Sequence, residues 1–245
     1  MIVLAIETAG PTGGAAILSG GKIVAEETFQ TRGRLGAELT PAIDAVLAKA
    51  GLSQSNPPDI VAVDIGPGSY TGIRVGLAVA KGLAFGWSKP LVGVNSLEAI
   101  ASLAPPRHRR VAVAMDARRG EIYGGLFELE PKSTGMPKVR TIQNSGVIAP
   151  VEFGRTIGTE PVFIMGNASP LLCAVMPDGA NHTRAPESLD YPTPGRIAEL
   201  GERLYHRGRL DDALSVTPVY MQKSIKEENR SRKRRRTKTK VELEA

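Results

Sequence analysis

The stretch "DIGPGSYTGIRVGLAVAKGLA", Asp64 to Ala84, decides how this chain folds. It grows out of "DIVAVDI", Asp59 to Ile65, a near-continuous apolar run suited to a strand covered on both faces of a sheet. Gly66-Pro67-Gly68 then predicts a tight turn, since glycine reaches backbone angles closed to other residues. Ser69 or Thr71 is placed to cap a following helix by accepting bonds from its unpaired amides. The same amides suit an anion, so Gly68, Ser69 and Thr71, with Thr8 from the first loop, are candidate anion or nucleotide contacts. Capping alone is a sufficient explanation of the motif.

The helix itself carries a second signal. Gly72, Gly76, Ala80 and Ala84 recur every four residues, forming a ridge almost free of side chains. Glycine inside a helix costs roughly 0.5–1 kcal/mol relative to alanine, so two of them need a reason. Either the ridge packs internally against a sheet or helix, or it docks a second subunit. In the docking reading the surface comprises Gly72, Ile73, Arg74, Gly76, Val79, Ala80 and Leu83.

Working outward, Ile2 to Glu7, Gly14 to Ser19 and Lys22 to Phe29 read as a strand meander turned at Gly20-Gly21. A helix is expected over Ala37 to Ala50, with Leu39, Ile43, Val46, Leu47 and Ala50 on one stripe. Pro41 predicts that it starts nearby or bends there. "PLVGV" (Pro90–Val94), "VAVAMDA", "EIYGGLFEL" and "VFIMG" read as further strands, and Pro194 to Arg207 as a helix. The order argues an α/β protein of two lobes, 1–104 and 105–222, followed by a basic tail, 223–245. No repeat of 20 to 50 residues is evident at the level of residue identity.

Charge is concentrated in that tail. Residues 221–245 hold ten Lys/Arg and four Glu, leaving 21 basic and 21 acidic residues in positions 1–220, so the net charge of +6 belongs to the tail. "RSRKRRRTKTK" should stay extended when alone. Arg232, Lys233, Arg234, Arg235 and Arg236 are candidate RNA contacts, the alternative being a solvated tail that aids solubility. The single cysteine, Cys173, forbids an internal disulfide and reads as a packed thiol in a cytoplasmic protein. No apolar run reaches the roughly 20 residues needed to span a bilayer, so no membrane partner is expected.

The chemistry legible in the residues is sparse. His108, His182 and His206 lack any short metal-binding spacing. "GPGSYTG" lacks the lysine of a P-loop and the spacing of a nucleophile elbow. These patterns lean away from a self-sufficient catalyst.

Taken together, "DIGPGSYTGIRVGLAVAKGLA", "GVNSLEAIA", "DARRGEIY", the opening "VLAIET" and "PVYMQ" at Pro218 to Gln222 resemble the TsaB (YeaZ) family of bacterial tRNA threonylcarbamoyladenosine proteins. The resemblance covers Met1 to about Gln222. It implies a two-lobed actin-like (ASKHA, RNase H-like) fold, each lobe a mixed sheet flanked by helices. It also implies a non-catalytic scaffold subunit that pairs with a TsaD-type transferase and a TsaE-type ATPase and works on tRNA. Alone, such a chain is expected to form a homodimer and to bind no cofactor, ATP and a metal ion being used by its partners. Partner-binding helices in the first lobe would add Leu39 and Ile43 to the candidate interface. Catalytic relatives carry a metal-binding His-x-x-x-His pair where this chain has Ser96 and Ile100, so no metal or catalytic residue is expected here. Glu7 stands where relatives commonly have aspartate, and Leu35 where many have histidine. The rival reading is an independently active actin-like ATPase or kinase using "ETAGPTGG" and "GPGSYTG" as phosphate loops; a metal-independent peptidase is a further alternative.

Overall fold

Strand β1 (Ile2–Glu7) is buried on both faces, which is why its sequence runs apolar instead of alternating. The computed structural model describes residues 1–130 and 136–219. β2 (Thr12–Ser19) and β3 (Lys22–Gln30) extend β1 antiparallel, turned at Gly20 and Gly21, whose φ values of 58° and 76° need glycine. After α1 (Leu35–Lys49), strand β4 (Ile60–Gly66) joins β1 in parallel. Helix α2 (Tyr70–Gly86) then crosses to β5 (Leu91–Asn95), parallel to β4. The first sheet therefore runs β3-β2-β1-β4-β5.

The short helix α3 (Ser96–Ala101) leads into a second sheet. Its members are β6 (Arg110–Arg118), β7 (Glu121–Glu130), β8 (Lys138–Ile148), β9 (Val162–Met165) and β10 (His182–Arg184). Helix α4 (Pro150–Ile157) precedes β9, and α5 (Ser169–Cys173) precedes β10. The order β10-β9-β6-β7-β8, read from the β8 edge, repeats the first sheet: an antiparallel three-strand meander followed by two parallel strands. This duplication of a mixed sheet flanked by helices is the actin-like architecture. It is invisible as residue identity because only the burial pattern is repeated.

Four apolar clusters build five layers. One face of the first sheet (Leu4, Ile6, Ile17) packs Leu39, Ile43, Val46 and Leu47 of α1 and Leu77, Ala80 and Ala84 of α2. The other face (Val3, Ala5, Val92, Val94) packs Ala99 of α3 and Ile197, Ala198 and Leu200 of helix α6 (Pro194–His206). The second sheet covers α3 through Leu97 and Ile100 on one side, and α4 and α5 through Phe153 and Leu172 on the other. Helices α3 and α6 are thus sandwiched between the sheets.

That arrangement corrects the expected boundary at Ala104. Helix α6 belongs by sequence to 105–222 but packs on the first sheet, where a Cβ at Gly201 would lie 2.4 Å from Ala62. The chain continues on that lobe: Asp211 N donates to Leu91 O at 2.9 Å and Val219 N to Ile65 O at 2.8 Å. Arg203 ties α6 to the second lobe by donating to the Pro137 and Met136 carbonyls. Helix α1 differs from expectation too. It begins at Leu35, ahead of Pro41, which sits inside it on the exposed side. The basic run Arg232–Arg236 and the end of "PVYMQ" lie outside the described residues.

Candidate functional site

Two features merit description: the cleft between the lobes and the outer face of α1 and α2. The cleft, about 1050 Å³, opens at the carboxyl ends of β1 and β6. Gly10, Arg32, Arg34, Ser69, Thr71 and Val75 line it from the first lobe, and Asp116, Arg118, Tyr123, Asn167 and Tyr191 from beyond. The two lobes use matching local chemistry at its floor. Glu7 ends β1 and its Oε1 accepts from Ala9 N (2.7 Å) and Gly10 N (3.1 Å). Asp116, near the end of β6, accepts through Oδ1 from Arg118 N at 2.7 Å, while Asn167 Oδ1 accepts from Asp116 N at 3.0 Å.

In the first lobe these bonds leave little for an anion. The backbone amides of the β1–β2 turn that would cradle a phosphate already face the Glu7 carboxylate. Thr8 is fully buried and its hydroxyl donates to Gly72 O at 2.8 Å. Gly68 is pressed against Ala9, where a Cβ would sit 2.7 Å from the carbonyl oxygen, and Ser69 N donates to that same oxygen at 2.9 Å. Ser69 Oγ accepts from Gly72 N at 3.2 Å, so Ser69 is the helix cap and Thr71 is not. Of the four candidate anion contacts, Ser69 and Thr71 are exposed at the cleft, whereas Thr8 and Gly68 hold the two loops together. Ser69→Ala is expected to lower stability by about 1 kcal/mol, read as a reduced urea midpoint with an unchanged slope.

The four-residue ridge has a definite address. A Cβ on Gly72 would stand 1.9 Å from Thr8 O, and one on Gly76 2.2 Å from Thr8 Oγ1. Ala80 and Ala84 are buried against the sheet, as are Ile73, Leu39 and Ile43. The expectation that Gly72, Ile73, Gly76, Ala80, Leu39 and Ile43 present a docking surface is therefore corrected: β1 and its exit loop already occupy that row. Val79 and Leu83 are half-buried at its margin, and Arg74 is exposed with its guanidinium 4.1 Å from the centre of the Tyr70 ring.

A second row, offset by two positions, was missed in the sequence. Arg74, Ala78, Gly82 and Gly86 also recur every four residues, and all are exposed. A Cβ at Gly82 or Gly86 would meet nothing within 4 Å, so packing among the described residues gives no reason for either glycine. Beside them Phe85 is 71% exposed. The neighbouring α1 turns Gly36, Ala37, Thr40, Pro41, Asp44 and Ala48 outward. Two adjacent helices thus share a low outer surface with one protruding aromatic ring.

Ser96 and Ile100, one turn apart on α3, are both committed internally. Ser96 Oγ donates to Asp64 Oδ1 at 2.6 Å, and Ile100 is fully buried. Among the described residues no three His, Cys, Asp or Glu side chains come together as a metal site. His108 stacks on Phe163 at 4.0 Å between ring centroids. Cys173 is half-buried, and burial pushes its thiol pKa up.

With this geometry in view, the comparisons with known proteins converge. The family model described as TsaD, tRNA N6-adenosine threonylcarbamoyltransferase, matches residues 34–202. The chain is 34% identical over 128 residues to the tRNA threonylcarbamoyladenosine biosynthesis protein TsaB of Bacillus subtilis, covering 52% of this chain and 56% of that protein. The match to Bacillus subtilis TsaB thus spans little more than half of that protein's length. To TsaB of Haemophilus influenzae it is 28% identical over 192 residues, covering 76% of this chain and 79% of the relative. Among solved structures, YeaZ from Pseudomonas aeruginosa superposes with a TM-score of 0.75 at 26% identity, covering 89% of this chain and 99% of that one.

Proposed function

Because the chain belongs to the TsaD family, in its TsaB (YeaZ) branch, we propose that it is a non-catalytic scaffold subunit of the tRNA N6-threonylcarbamoyladenosine machinery. It pairs with a TsaD-type transferase, and a TsaE-type ATPase joins the pair. The observation that carries this reading is the outer face of α1 and α2, where Ala78, Gly82 and Gly86 have no internal role and Phe85 stands in solvent. A face this low admits close approach of another helix, and the aromatic ring supplies an anchor of the kind enriched at interfaces. Arg74, Val79 and Leu83 border it. Without the transferase, a second copy of the chain covers the same surface.

The Glu7 carboxylate supports the non-catalytic part. It takes the two amides of the first loop, so the loop is internally satisfied without a phosphate. ATP and the metal ion then belong to the partner subunits. The tail from Arg232 to Arg236 adds salt-sensitive phosphate contacts to tRNA. The setting is the cytoplasm; among the described residues no helix is long and apolar enough to cross a membrane.

The test is co-purification with a TsaD-type subunit, followed by threonylcarbamoyl transfer to tRNA with each protein alone and with both. Association is expected, with transfer strongly dependent on both being present and none from this chain by itself. Transfer by this chain unaided would overturn the non-catalytic reading, and ATP turnover by it in calorimetric titration with Mg²⁺ would install the ATPase reading instead.

A further inference from the structure

The parallel register that sets Ile6 opposite Val63 brings the next residues, Glu7 and Asp64, side by side on adjacent strands. Both lie on the sheet face turned toward α3 and α6, and both are 0% exposed. Each carboxylate uses one oxygen only. Glu7 Oε1 is held by the β1–β2 turn, as described above. Asp64 Oδ1 accepts from Gly66 N (2.7 Å), in the turn before α2, and from Ser96 Oγ at the start of α3. The other oxygens, Glu7 Oε2 and Asp64 Oδ2, are buried with no hydrogen-bond partner among the described residues.

Two ionised carboxylates in this position would be untenable. Buried charges persist only when paired, and among the described residues no basic group contributes to the electrostatics of either. The charged side chains of the surrounding elements are engaged elsewhere. On α2, Arg74 lies over Tyr70. On α3, Glu98 faces Arg203, Arg207 and Arg209, and on α6 Arg196 pairs with Glu199. Across the cleft Asp116 pairs with Arg118, and Asp190 faces Arg184 and Glu187.

We propose that Glu7 and Asp64 hold one proton between Oε2 and Oδ2, and that this shared proton latches together the β1–β2 turn, the turn opening α2 and the start of α3. With the proton in place the pair carries a single negative charge and both orphaned oxygens are satisfied. When the proton leaves to solvent, two like charges face each other across neighbouring strands and the three segments loosen. Burial raises both pKa values, that of Asp64 to about 7, and the charge of Asp64 raises Glu7 further. The folded chain therefore keeps a proton that the unfolded chain has released. Stability falls as pH rises above the ordinary carboxylate range, and it goes on falling through neutrality until the shared proton has left.

Urea unfolding of the full chain from about pH 5 to pH 9, compared with Asp64→Asn and Glu7→Gln, tests the latch. Each amide keeps the existing acceptor oxygen and places a permanent N–H donor where the proton sat. The folding constant of the native chain, relative to Glu7→Gln, is expected to fall by up to about tenfold per pH unit and to go on falling through neutrality. Parallel pH profiles for all three would overturn the proposal. So would a Mg²⁺- or Mn²⁺-induced rise in the native chain's midpoint that Asp64→Asn abolishes, since a cation would then occupy the gap. The amide resonances of Ala9, Gly10 and Gly66 in the native chain give a readout independent of whether the variants fold. A titration common to all three, at or above neutrality, supports the latch, and its absence refutes it.

Discussion

Gly72→Ala is expected to cost about 3 kcal/mol or more, whereas Gly82→Ala, ten residues along the same helix, should gain about 1 kcal/mol. The chemical change is identical and only the azimuth differs. At Gly72 the new methyl would stand 1.9 Å from the Thr8 carbonyl oxygen, and that carbonyl cannot retreat easily. Thr8 is tied back to α2 by its hydroxyl on Gly72 O, and the next two amides are held by Glu7. Either α2 lifts off β1, exposing Ile73 and Leu77, or the cleft floor is rebuilt. At Gly82 a Cβ meets nothing within 4 Å, so only the entropy advantage of alanine in a helix remains. Paired thermal or urea denaturation measures both, each kcal/mol moving the midpoint by about 2–4 °C in a chain of this size. Equal effects at the two positions would mean that the inward row is not what holds α2 to the sheet.

The second large effect concerns association. Ala78→Arg or Gly82→Trp should weaken pairing with a TsaD-type subunit by about thirtyfold or more, the scale of losing a central interface contact. Both residues are exposed, so melting temperature and circular dichroism should match the native chain. Phe85→Ala removes the protruding ring and should weaken pairing from the opposite direction, by loss of contact instead of obstruction. Analytical ultracentrifugation of the chain alone reads the homodimer on the same variants. If pairing survives both bulky substitutions, the outer face of α2 is not the docking surface and the proposed role loses its main support.

Much of the first lobe was legible from the residues. The apolar run of β1, the Gly20-Gly21 turn, the stripe of α1 and the strand-turn-helix at Asp64 each carry local chemistry that admits one conformation. The sequence offers Ser69 or Thr71 as the cap, since a hydroxyl before a helix can accept from its unpaired amides, and the structure uses Ser69. The second lobe was read less fully. Helices α4 and α5 and strand β10 are short, the loops that join them hold Gly158, Pro161, Gly166, Pro177 and Gly179, and their stability comes from packing more than from propensity. The site suffered most. Nothing in "ETAG" says that the glutamate will bend back onto its own loop, because that bond needs the strand beside it to exclude water.

By itself the sequence determined the alternation of strands and helices, the burial of both faces of β1 and β4, the zero net charge of the first 220 residues and the family. Only the tertiary structure decided which of two rows on α2 faces inward, that α6 returns to the first lobe, and that Glu7 and Asp64 become neighbours. The physical reason is the same in each case. Gly72, Gly76 and Ala80 differ little in hydrophobic contrast from Ala78, Gly82 and Gly86, so periodicity sets the pitch of the helix but not its rotation. Rotation, partner strand and buried charge are settled by surfaces that meet across 30 or more residues of chain, where local preference has no reach.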